Sequence, residues 1–108
     1  MPEELTPAEV AKVPELVEYQ KGSIVSRTLL EKASGDVTIF AFDQGQGLRE
    51  HSAPYDALVQ VIDGQVEITI SGKPQKVCAG EMILMPANQP HALKALRPFK
   101  MILTMVHE

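Results

Sequence analysis

A chain of 108 residues, 44% of them hydrophobic and 22% charged, has room for one compact domain with a single core and none for a second. Its formal net charge of -4, with Lys and Arg scattered along the chain, argues against a nucleic acid or an anionic membrane as partner, because phosphate binding draws on clustered cations. The single cysteine, Cys78, excludes an intrachain disulfide, and no apolar run approaches the ~18 residues that span a bilayer.

Residues 1–20 read as an arm, punctuated by Pro2, Pro7 and Pro14. Thr6-Pro7-Ala8-Glu9 supplies an N-cap, a proline at the first helical position and a first-turn acid, which predicts one short helical turn ending before Pro14. The segment is acidic and lacks the apolar centre of a signal peptide, so a cytoplasmic location is expected. Residues 21–108 read as one domain with period-two patterning. Residues 23–30 are rich in β-branched types and end in the turn cluster Ala33-Ser34-Gly35-Asp36. Residues 37–42 form a second strand, stopped by Asp43-Gln44-Gly45-Gln46-Gly47. Residues 56–62 and 65–70 flank Asp63-Gly64, whose tolerance of positive φ predicts a tight hairpin. Ser71-Gly72-Lys73-Pro74 makes the next turn, and residues 75–79, 81–85, 91–96 and 99–106 complete the set. Pro90 and Pro98 fence the one stretch with helical propensity, residues 93–96, into too short a span. Eight or nine short strands at intervals of roughly ten residues point to an all-β sandwich or closed barrel.

Three histidines occur, at positions 51, 91 and 107. His51 and His91 each follow a turn rich in Gly or Pro and are expected to begin a strand. Around them the spacing is Gly45-(five residues)-His51-Ser52-Ala53-Pro54-Tyr55-Asp56-Ala57-(six residues)-Gly64, and Gly80-(five residues)-Pro86-Ala87-Asn88-Gln89-Pro90-His91-(three residues)-Ala95. These frames resemble the two motifs of the cupin superfamily, G-x5-H-x-H-x3,4-E-x6-G and G-x5-P-x-G-x2-H-x3-N, over residues 36–106. The resemblance implies a small single-domain cupin: a double-stranded β-helix, or jelly-roll barrel, with an open mouth and a short N-terminal arm.

In that family the first motif supplies His, His and Glu and the second a further His, together holding one divalent metal. Here the second His position is Ala53 and the Glu position is Ala57 (Leu58 with the alternative spacing). The second-motif Gly is Asn88 and its final Asn is Ala95. His51 and His91 alone survive as metal ligands, so Fe, Mn, Ni or Zn bound through them would lack the usual carboxylate and third donor. By alternation Glu50, Asp56 and Gln60 face outward and are no substitutes. His107, beside Glu108, reads as an exposed polar end, and Cys78 as a half-buried packing thiol.

On the phase of the two histidines, Ala53, Ala57, Val59, Val61, Leu93 and Ala95 point inward. Met101, Leu103 and Met105 join them from the last strand, Phe40 and Phe42 from the second, and Tyr55 covers the mouth. The expected pocket is small, mostly apolar and floored by methionines. On the opposite phase Leu58, Ile62, Ile83, Met85, Leu96 and Ile102 need a cover. The arm is one candidate and a second subunit the preferred one, which predicts a homodimer; the resemblance adds exchange of an N-terminal strand such as residues 24–30. The leading functional expectation is binding of a small, mostly apolar molecule near His51 and His91 without a robust catalytic metal. The alternatives are a metal-dependent, dioxygenase-like enzyme, a metal-free isomerase or cyclase using an imidazole as base, and a non-catalytic dimeric module.

Overall fold

The computed structural model describes residues 4–107. Nine strands form among them: β1 (Ile24–Lys32), β2 (Gly35–Phe42), β3 (Gly47–His51), β4 (Asp56–Asp63), β5 (Gln65–Ile70), β6 (Lys73–Cys78), β7 (Met82–Met85), β8 (His91–Ala95) and β9 (Phe99–Val106). They make a five-stranded sheet in the order β1-β2-β9-β4-β7 and a four-stranded sheet in the order β3-β8-β5-β6. All paired neighbours are antiparallel. This is the expected jelly-roll, a double-stranded β-helix.

The alternation that marks the strands also sets their faces. In β4, Ala57, Val59 and Val61 are buried while Asp56 and Gln60 are exposed, as a period of two requires; Asp63, beyond a register shift after Val61, is exposed out of phase. The inner faces of the two sheets meet in one cluster, where the Phe42 ring stacks on Phe99 with centroids 4.6 Å apart and Val59, Val66 and Ile68 are fully buried. Each such side chain contributes about 1.5–3 kcal/mol by leaving water.

Three sequence expectations are corrected here. Asp63-Gly64 is not a hairpin: β4 pairs with β7 and β9, β5 with β6 and β8, so this turn carries the chain from one sheet to the other. Turn chemistry reported the positive φ of Gly64, +77°, but not which strands flank it. A Cβ there would lie 1.9 Å from the Pro98 carbonyl oxygen, so the corner closes only around glycine. The true two-residue hairpin is Ser71-Gly72, with φ of 50° and 81°, between β5 and β6. The N-terminal helical turn is also misplaced. Ala8 has a φ of 64° where a helix was expected, and the single turn is a 3-10 turn at Val13–Glu15 that contains Pro14. Finally, Ile83 and Met85 face inward: Met85 pairs with Ala57 and Ile83 with Val59.

The arm covers part of the outer face of the five-stranded sheet. Leu16, Val17 and Tyr19 pack on Leu29, Ile39, Ile62 and Ile102. Lys100 is 9% exposed, donates to the Pro14 carbonyl at 2.7 Å and lies 4.9 Å from the centre of the Tyr19 ring, while the Tyr19 hydroxyl donates to Asp63. β1 is hydrogen-bonded antiparallel to β2. Leu30, Met82, Leu84 and Val106 on that sheet stay exposed. Among the described residues no helix is long and apolar enough to cross a membrane.

Burial, and then the Asp63 carboxylate, raises the Tyr19 pKa above its ordinary value of 10.0. A pKa raised by folding means that this contact contributes fully below pH 10.0 and is lost as the pH climbs past it. Tyr19→Phe should cost about 1 kcal/mol at neutral pH and flatten the alkaline fall in stability, read from urea midpoints between about pH 8 and 11.

Candidate functional site

The site is built by one cross-strand pair. His51 ends β3 rather than beginning a strand, and it stands directly opposite His91, the first residue of β8. The register slips between Leu48 and His51, which turns the end of β3 toward the barrel mouth. The loops beyond the two histidines are tied together where the Asn88 N–H donates to the Ala53 carbonyl at 2.7 Å. Asn88 occupies the second-motif glycine position with a φ of 65°, a left-handed conformation that asparagine adopts more readily than most side chains.

The imidazole protons are assigned by their partners. His51 Nδ1 lies 2.8 Å from the Arg49 carbonyl and His91 Nδ1 lies 3.2 Å from the Gln89 carbonyl. A carbonyl oxygen only accepts, so in each neutral ring Nδ1 carries the proton and Nε2 keeps its lone pair. The two Nε2 atoms face each other at 3.2 Å, with the rings edge to face. Burial lowers the His91 pKa; the Gln89 carbonyl raises it and the neighbouring His51 lowers it further, so the deeper ring is biased toward the neutral form.

Beside the pair lies a partly closed cavity of about 50 Å³. Of the residues expected there, His51, Ala53, Tyr55, Ala57, His91, Leu93, Met101, Leu103 and Met105 line it, joined by Leu48 and Met85. Val59, Val61, Ala95, Phe40 and Phe42 do not. They point inward but sit deeper, where the Phe42–Phe99 stack and the tilted Phe40 ring, 5.9 Å from Phe42, fill the far end of the barrel. Alternation identifies which face a residue takes but not how far from the mouth it lies. Met85 was missed because all four residues of β7, Met-Ile-Leu-Met, are apolar, so alternation carries no phase there. Two larger depressions flank Glu81 and Met82 on the outside, open to solvent and without a histidine.

His107 is also corrected. It is half-buried, its ring lies 4.3 Å from that of Tyr55, and its Nε2 stands 3.3 Å from Asp36 Oδ2. Its backbone N–H donates to the Ser34 carbonyl. The end of the chain therefore holds Tyr55 at the mouth. No sequence signal marked this contact, since 52 residues separate the two partners, as the difference 107 − 55 gives.

The family model described as a cupin domain matches residues 38–107. The chain belongs to the cupin family. A conserved protein of unknown function from Streptococcus pyogenes is 36% identical, with a TM-score of 0.91 over 96% of this chain and 91% of that one. A cupin 2 conserved barrel domain protein from Leptotrichia buccalis is 46% identical, with a TM-score of 0.83 over 86% of this chain; the match spans 45% of that longer chain. A cupin superfamily protein from Desulfitobacterium hafniense shares the fold, with a TM-score of 0.90 at 20% identity over 96% of this chain and 95% of that one. A search of curated proteins finds no match.

Cupins often bind a divalent metal, and the residues here fit that group only in part. The chord between two donors about 2.0–2.1 Å from one ion at a tetrahedral angle is about 3.3–3.4 Å, close to the observed Nε2 separation. The donor count does not fit: among the described residues no three His, Cys, Asp or Glu side chains come together. Asp56, the nearest acid in sequence, accepts from the Ala87 N–H at 2.8 Å and is exposed. Two imidazoles with no carboxylate do not make a resident site for a hard divalent ion.

Tyr55→Ala and His107→Ala should each speed carbethoxylation of His91 several-fold while leaving the thermal midpoint within a few degrees, as expected of a mouth residue and its prop. Mass spectrometry of the modified peptide checks this, and an unchanged rate removes Tyr55 from the mouth.

Proposed function

We propose that this cupin binds a small, mostly apolar molecule that carries one hydrogen-bond donor, a hydroxyl or an amine. The observation that carries the reading is a small, mostly apolar cavity, open at its mouth, toward which the His51 and His91 Nε2 atoms converge. Side chains of Leu48, Leu93, Leu103 and Met101 surround the apolar part, and Ala53 and Ala57 leave open the space that larger side chains would fill. A cavity of about 50 Å³ suits a molecule of only a few heavy atoms, since one water centre needs about 10–15 Å³. Both Nε2 atoms accept, so a donor head is favoured over a carboxylate. Nothing here requires turnover, and cytoplasmic residence belongs to the same proposal.

For probes of about four heavy atoms the realistic dissociation constant is on the order of a millimolar. Propylamine and 2-propanol should shift the methyl resonances of Met85, Met101 and Met105 in saturable fashion, and propionate should not. If neither donor probe moves those methyls, or propionate binds best, the reading fails.

A second copy of the chain is proposed as the cover for the exposed apolar residues Leu30, Leu84 and Val106 of the five-stranded sheet, which do not belong to the cluster packed under the arm. By contrast, the outer face of the four-stranded sheet pairs Glu67 with Lys76 and Lys94 and needs no cover. Light scattering at micromolar concentration should give two chain masses; a single chain mass rejects the dimer.

A further inference from the structure

We infer that the mouth end of the barrel is a site for one soft monovalent cation, Cu(I), held by the imidazoles of His51 and His91 together with the thioethers of Met85 and Met105. The argument begins with the lone pairs. Both Nδ1 protons are committed to backbone carbonyls, so both Nε2 atoms turn their lone pairs into the same space at a separation of 3.2 Å. Two bare nitrogens at that distance repel each other, and either a shared proton or a metal ion between them relieves the repulsion. The backbone carbonyls fix ring orientation in the way that partners behind metal-binding histidines do.

The second observation is a row of the five-stranded sheet. Ala57 stands where the family resemblance expects a carboxylate, and it is flanked in register by Met85 on β7 and Met105 on β9. All three residues line the same cavity as the two histidines. Two imidazoles and two thioethers therefore line one small cavity, with no carboxylate or thiolate among its lining residues. Methionine in a strand most often fills a core, which is why position decides the matter here. These two sulfur side chains bracket the one position from which an anionic ligand is missing.

The chemistry of that donor set is selective. Thioether and imidazole without an anionic partner suit a soft ion of low charge, whereas Mn, Fe and Mg sites rely on oxygen donors. Charge points the same way. The cost of placing an ion in an apolar cavity scales with the square of its charge, so a monovalent ion incurs about a quarter of the penalty of a divalent one. Loss of the carboxylate, which makes a divalent ion untenable, is tolerable for Cu(I). This inference shares the His51 and His91 Nε2 atoms with the small-molecule reading and differs from it in the ligand and in the two thioethers it calls on.

The test uses the whole chain under anaerobic, reducing conditions. Titration into Cu(I) held by bicinchoninate should withdraw one equivalent, and Zn(II) should be lost on dialysis. Met85→Leu and Met105→Leu keep the side-chain volume and remove only sulfur, and each should weaken Cu(I) binding by about tenfold or more with circular dichroism unchanged. Met82→Leu, on the exposed face, and Cys78→Ser should leave the affinity as it is. X-ray absorption of the loaded protein should show both nitrogen and sulfur neighbours. Failure to compete with bicinchoninate, full affinity in the Met85→Leu/Met105→Leu double variant, or loss of binding in Cys78→Ser would each overturn the assignment. Saturable binding of propylamine without any uptake of Cu(I) would leave the small-molecule reading standing and sink this one alone.

Discussion

The open end of this barrel depends on one register, His51 opposite His91. That pairing needs a slip in β3 after Leu48, a left-handed residue at Asn88 and the bond from Asn88 to Ala53. Each is a backbone feature, and together they place two side chains from sequence positions 40 residues apart within 3.2 Å. Once the rings are there, the Arg49 and Gln89 carbonyls decide which nitrogens face the cavity. The chemistry of the site is thus set by main-chain groups, and the cavity beneath it only sets what size of molecule meets that chemistry.

Much of the fold was legible because alternation is a strong signal wherever polar residues interrupt apolar ones. β2, β4, β5 and β9 read cleanly for that reason, and the two histidine frames located the mouth. The failures share a cause: a local pattern says nothing about what lies across the fold. Asp63-Gly64 has the chemistry of a hairpin and serves a sheet crossing. β7 has no polar residue to set its phase, so Met85 was turned the wrong way. The depth of Val59, Val61 and Phe42 in the barrel depends on where the second sheet closes over them, which no alternation encodes. Tyr55 was placed at the mouth from its loop position alone, while the His107–Asp36 prop behind it is a long-range contact and was invisible.

The two outer faces divide the work of keeping the sandwich in water. The four-stranded sheet presents Glu67 in register with Lys76 and Lys94, and Thr69 two residues along, all compatible with solvent. The five-stranded sheet carries apolar residues on both sides, and the arm covers some of those on the outer one through Leu16, Val17 and the Lys100–Tyr19–Asp63 contacts. An arm held by one buried lysine and one tyrosine is a modest clasp. Its value lies in covering Ile39 and Ile102, whose exposure would otherwise cost about 1.5–3 kcal/mol each.

The strand edges carry a last consequence. β6 ends the four-stranded sheet with Lys73, Pro74 and Lys76, and Pro74 has no N–H to offer an incoming strand. β1 is bulged between Thr28 and Leu30, and its Leu29 carbonyl is taken by the Leu5 N–H. β7, at the opposite edge, has neither charge nor proline, and its Met82 and Leu84 are each 55% exposed. If copies of this molecule ever stack into a fibre, growth will proceed from those four residues, and a single lysine at either exposed position is the natural brake on it.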